Sequence, residues 1–127
     1  MKKSGLLNGP INALLSTLGH GHLVMITDCG MPLPESAAVV DLALVRGTPA
    51  FAEVLRAVLA DLEVEGSVIA SEACGTVVED VVRGEGLSPE FVSHQELKSL
   101  LDEARLIIRT GEATSYANVA LRCGVTF

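Results

Sequence analysis

The stretch that most constrains this chain is Leu23-Val24-Met25-Ile26-Thr27, a run with no polar alternation. A strand with one wet face alternates; a strand covered on both faces does not. The run follows Leu18-Gly19-His20-Gly21-His22, which reads as a helix stop at Gly19, in the position that favours positive φ, and a tight turn with two histidines. It ends at Asp28, followed by the loop Gly30-Met31-Pro32-Leu33-Pro34, whose prolines push their predecessors out of helical conformation. One short buried strand thus carries a histidine before it and a carboxylate after it.

The rest of the chain alternates helical and strand signals. Asn8 or Gly9 starts a first helix with Pro10 in its first turn, and Ile11, Leu14, Leu15 and Leu18 form one apolar stripe. Val39 to Val45 is a second apolar stretch interrupted by Asp41. Thr48-Pro49 opens a helix as cap and first-turn proline, with Phe51, Val54, Leu55, Val58, Leu59 and Leu62 on one face. Val68-Ile69-Ala70 reads as a central strand, Thr76 to Val82 as a helix and Phe91-Val92 as a short strand. Ser93-His94-Gln95-Glu96 is a capping box whose helix runs to about Ala104. Leu106-Ile107-Ile108 and Val119 to Leu121 are the last strands, on either side of a polar loop from Arg109 to Ser115. This alternation predicts an α/β fold: a single domain over residues 1–127, with three α/β/α layers and a mixed, mostly parallel sheet.

Composition narrows the partners. A net charge of -7, with nine scattered basic residues, argues against nucleic acid and anionic membrane surfaces. No apolar run approaches the length of a bilayer span. Cys29, Cys74 and Cys123 are odd in number and lack C-x-x-C spacing, which points to a reducing compartment, and Asn8, Gly9, Pro10 and Asn12 interrupt any signal-like apolar segment. The chain reads as cytoplasmic. Aromatic residues make up only 3%, so the core must be aliphatic, and the mean hydropathy of +0.44 favours a homo-oligomer with covered apolar surface.

Several side chains can carry chemistry. His20 is either a surface histidine in a turn or a general acid/base group. His20 and His22 also suggest a metal pair, but the third histidine, His94, has no partner at metal spacing, and no metal site is expected. Asp28 stands where ligands bind in open α/β sheets, or else caps amides of its own loop. His94 and Lys98 share a helix face at i and i+4, with Asp102 a further turn on as an ion-pair partner for Lys98. Tyr116 can stack on a small polar ligand, and Asn118 offers the donor and acceptor that a sugar hydroxyl needs. The chain has no G-x-G-x-x-G, phosphate loop or Cys/His cage, so no cofactor is expected.

Taken together, Lys2-Lys3-x-Gly5-x-Leu7-Asn8, Leu18-Gly19-His20, Asp28-x-Gly30-x-Pro32-x-Pro34, Arg109-Thr110-Gly111-Glu112, Tyr116-Ala117-Asn118 and Gly124-Val125-Thr126-Phe127 resemble the D-ribose pyranase family. The motifs run end to end in order; only the region from about Glu72 to Pro89 carries none. The related L-fucose mutarotases resemble the chain in fewer of these motifs, and Gly30-x-Pro32-x-Pro34 tilts the choice towards ribose. Cys29 stands where this family more often has alanine. The resemblance implies His20 as catalytic proton donor and Asp28, His94, Lys98, Tyr116, Ala117 and Asn118 as sugar-binding. It also implies D-ribose as the small-molecule partner, no cofactor, and a ring-shaped homo-oligomer, a pentamer or decamer, with sites shared across subunit interfaces.

Overall fold

The computed structural model describes residues 1–127. Its six strands form one sheet in the order β2-β5-β1-β6-β3-β4. These are β1 (Leu23–Thr27), β2 (Val39–Asp41), β3 (Val64–Ala70), β4 (Glu90–Val92), β5 (Ala104–Arg109) and β6 (Val119–Cys123). The β2–β5, β5–β1 and β3–β4 ladders are parallel, and β6 alone runs against both of its neighbours, β1 and β3. The mixed, mostly parallel sheet expected from the alternation of elements is therefore present.

Successive side chains of a strand point to opposite faces. Val24 and Ile26 of β1 enter one core with α1 (Gly9–Leu15), α2 (Phe51–Leu59) and α3 (Val77–Gly84). Leu23 and Met25 enter a second core with Leu97 of α4 (His94–Ser99) and Leu101. All five residues of β1 are buried, which is why the run carries no polar alternation. Three helices on one face and one on the other make the three layers. Phe51 is the one aromatic ring among the buried core residues.

Local signals mostly survive folding. Asn8 Oδ1 accepts from Ile11 N at 2.9 Å, Thr76 Oγ1 from Val78 N at 3.2 Å, and Ser93 and Glu96 cap each other as a box. Four expectations need correction. The first helix ends at Leu15 with Ser16 as its cap, so the positive φ of the histidine turn falls on Gly21, not Gly19. Thr48 does not cap α2: the chain becomes helical only after Ala50, whose N–H is accepted by Glu53 Oε2 at 3.0 Å. Val68-Ile69-Ala70 lies one strand in from the edge, and the centre belongs to β1 and β6. Beyond Asp41 the second apolar stretch turns out to solvent, leaving Leu44 and Val45 exposed.

Candidate active site

A cleft of about 440 Å³ opens beyond the carboxyl end of β1. Its walls are three segments: Asp28 to Pro32 after β1, Glu112 to Tyr116 between β5 and β6, and His94 with Lys98 on α4; Arg46 closes the rim. Parallel strands that end on one side bring such loops together, which is where open α/β sheets bind ligands.

Asp28 is held from two sides. Its Oδ1 accepts from Gly30 N at 2.9 Å, an Asx turn, and its Oδ2 accepts from Asn118 Nδ2 at 2.8 Å. Asn118 Oδ1 in turn accepts from Asp28 N at 2.8 Å. Both ends of the Asn118 amide are therefore engaged by Asp28, and the residue is buried in this chain. Ala117 leaves the cleft and packs into the larger core. These two residues act behind the cleft wall. Tyr116, at the wall itself, has a φ of 63°, a conformation L residues adopt at some energetic cost. Asn118 N donates to Tyr116 O at 2.8 Å and tightens that turn.

The His94 ring stands edge-on to Tyr116, centroids 5.1 Å apart at 79°. Its backbone N–H points at both carboxylate oxygens of Glu72, at 3.0 and 3.2 Å, so the region without motifs supplies the residue that anchors the start of α4. Lys98 does not pair with Asp102. After Ser99 the helix tightens to three residues per turn, which breaks the i, i+4 spacing, and Lys98 faces the cleft instead.

Glu112 organises the third wall. It accepts from Ala113 N, Thr114 N and Thr114 Oγ1 through Oε1 and from Phe51 N through Oε2, at 2.8 to 3.2 Å. Burial alone would push this carboxyl up, but the four hydrogen bonds outweigh it and hold it below the usual carboxylate range. Arg109 fixes the first wall by donating Nε and Nη2 to Cys29 O, at 3.2 and 2.8 Å, and Nη1 to Asp41 at 2.8 Å. The sequence reading missed Arg46, Cys29 and Glu112 as cleft residues. The Arg-Thr-Gly-Glu motif was the available signal for the last of them.

His20 is elsewhere. It sits before β1, whose four residue steps span about 13 Å, and its Nε2 is 2.7 Å from Glu65 Oε2. His22 Nδ1 accepts from Gly19 N at 3.0 Å, so the two histidines turn to different partners. One chain thus gathers Asp28, His94, Lys98 and Tyr116 at one end of the sheet and leaves His20 at the other.

An acidic-and-basic cleft at the strand ends of a three-layer sheet defines a small α/β protein built to hold a polar ligand. The chain belongs to the RbsD / FucU transport protein family, whose sequence profile matches residues 1–126. It is 50% identical to the D-ribose pyranase of Streptomyces coelicolor over 129 residues and 46% identical to that of Geobacillus kaustophilus over 131; the alignments cover all of this chain and 100% and 96% of those proteins. Its fold superposes on the structure of Bacillus subtilis RbsD complexed with D-ribose with a TM-score of 0.94, at 35% identity and full coverage of both chains.

Proposed function

We propose that this protein interconverts the pyranose and furanose forms of D-ribose, a cofactor-independent intramolecular isomerase reaction. The observation that carries this reading is the full-length identity to D-ribose pyranases, in a chain whose cleft offers the groups a sugar needs. Asp28, oriented by Asn118, accepts sugar hydroxyls. His94 and Lys98 add polar contacts from α4, Tyr116 supplies an aromatic face, and Ala117 and Asn118 hold that wall in place.

Ring exchange needs a proton delivered to the ring oxygen and one removed from the anomeric hydroxyl. In our reading His20 delivers the first. The bond from C1 to the ring oxygen breaks, its electron pair takes the histidine proton, and the anomeric hydroxyl gives its own proton to water as the aldehyde forms. Closure reverses these steps through a different hydroxyl, which returns a proton to His20.

This chemistry requires His20 and the cleft to meet, so we assign the working site to two copies of the chain. The exposed Leu44 and Val45, next to Arg46 on the cleft rim, support such an interface. A ring, a pentamer or stacked decamer, repeats it. Three free cysteines suit a cytoplasmic setting.

Saturation-transfer NMR on D-ribose tests the reading. Exchange between ring forms should accelerate with protein and lose most of that acceleration in His20→Ala, while ribose still binds. The family's description as transport proteins favours a second reading, a sugar-binding protein without catalysis; ribose binding with unchanged exchange rates would establish it. Faster exchange of L-fucose than of ribose would move the assignment to another mutarotase.

A further inference from the structure

His20 does not stand free in its turn. Its Nε2 meets Glu65 Oε2 at 2.7 Å across 45 residues of sequence, and the surrounding backbone is arranged to make that contact. Glu65 stands where the β3–β6 ladder shifts register between Val64 and Gly66. Such a bulge re-aims the side chain it carries. The end of β6 ties the two partners together: Gly21 N donates to Cys123 O at 2.8 Å, Cys123 N to His22 O at 2.9 Å, and Gly124 N to Glu63 O at 3.0 Å. A side chain at Gly124 would press on Glu65, since a β-carbon there would lie 3.3 Å from Glu65 Cβ. The Gly19–His22 contact closes the turn from its other side.

A solvent-exposed ion pair of this kind adds little to stability, typically under about 1 kcal/mol. With side-chain exposures of 62% for His20 and 39% for Glu65, stability is not its main effect. Its effect is directional. A carboxylate can only accept, so Nε2 must carry a hydrogen, and the other ring nitrogen is left to do the chemistry. A carboxylate behind a working imidazole holds tautomer and orientation and stabilises the charged ring.

We propose that Glu65 is the positioning residue of His20: it fixes the Nε2–H form and presents Nδ1 as the nitrogen that gives and takes the sugar proton. The inference rests on the reading of His20 as proton donor. In the opening step the ring is the imidazolium, with a hydrogen on each nitrogen: its Nδ1 proton goes to the ring oxygen as that atom's bond to C1 breaks, the anomeric hydroxyl gives its proton to water, and the neutral Nε2–H ring remains. In closure the attacking hydroxyl returns a proton to Nδ1, so Nε2–H stays on Glu65 throughout.

Glu65→Gln nearly preserves size, but its amide can offer Nε2 either a donor or an acceptor and so no longer selects one tautomer. The experiment compares the assembled native protein with Glu65→Gln, Glu65→Asp and His20→Ala. It reads ribose exchange by saturation-transfer NMR, the ribose dissociation constant by titration, and the His20 ring by long-range 15N correlation spectra. Glu65→Gln should lower kcat by on the order of tenfold or more with ribose affinity unchanged. The His20 spectrum should move from one tautomer, Nε2–H, to a mixture. Glu65→Asp should recover part of the rate and the native tautomer. Native kcat in Glu65→Gln, or a His20 spectrum identical to native, overturns the inference when His20→Ala is inactive. Native rates in His20→Ala overturn the reading of His20 itself, and this inference with it.

Discussion

Gly111 has no room for a side chain. A β-carbon built there would run into the Thr48 backbone, carbonyl included, and that carbonyl already accepts from Leu44 N at 3.0 Å. The close approach is fastened by Gly47 N donating to Gly111 O at 2.6 Å and Gly111 N to Pro49 O at 2.9 Å. The rim turn that carries Arg46 and the wall that carries Glu112 are thereby fixed to each other. Gly111→Ala must separate them, and it should destabilise the protein by about 2 kcal/mol or more, a drop in Tm of several degrees on thermal unfolding. A melt indistinguishable from native would contradict this packing. The motif containing Gly111 could be read in the sequence. What made a glycine necessary could not, because the opposing backbone lies more than sixty residues earlier in the chain.

Among elements, the most legible were those whose signals are local. β1 showed itself by its lack of alternation, α4 by a capping box, and Asp28 by its place after a buried strand. Strand order was not legible: pairing β6 between β1 and β3 depends on contacts distant in sequence, so Val68 to Ala70 looked central when it was not. The role of Asn118 was hidden for the same reason, since its donor-acceptor amide serves Asp28, ninety residues away, as well as it could serve a sugar. The start of α2 was misread because its orphan N–H groups find Glu53 and the distant Glu112 in place of Thr48. That link has a pH consequence. Glu112 is held below its unfolded value of about 4.3, so its contribution to stability is complete above that pH and is lost as pH falls through the lower, folded value. Glu112→Gln should lower stability at neutral pH by about 1–3 kcal/mol and flatten the decline of Tm between pH 5 and the acid limit. Parallel native and variant Tm curves across that range would remove Glu112 from this role.

At the scale of the whole molecule, the proposed role of His20, which lies at the far end of β1 from the cleft, would make assembly a condition of activity. On that proposal the variants His20→Ala and Asp28→Asn should each be inactive, and each keeps the half that the other lacks. Co-expressed, they should recover about a quarter of native exchange activity, since random assembly joins an intact histidine to an intact cleft at one in four directional interfaces. Complementation that never rises above the separate variants would return the site to a single chain. In the sequence, a resemblance and the high apolar content pointed to assembly with shared sites, though neither says which face of the domain a second copy would meet. The lone reversed strand carries a further implication, for synthesis. The β2-β5-β1 half and the β3-β4 half of the sheet are joined in strand pairing only through β6, the last of the six strands in the chain. As the polypeptide leaves the ribosome, both halves present unpaired edges until β6 arrives, and such edges are open to mispairing with other nascent chains. The residues that join the sheet, Val119 to Cys123, also lie between Asn118 and Gly124, the supports of Asp28 and of Glu65. The domain gains its continuous sheet and the supports of the cleft and of the His20–Glu65 pair in one late event.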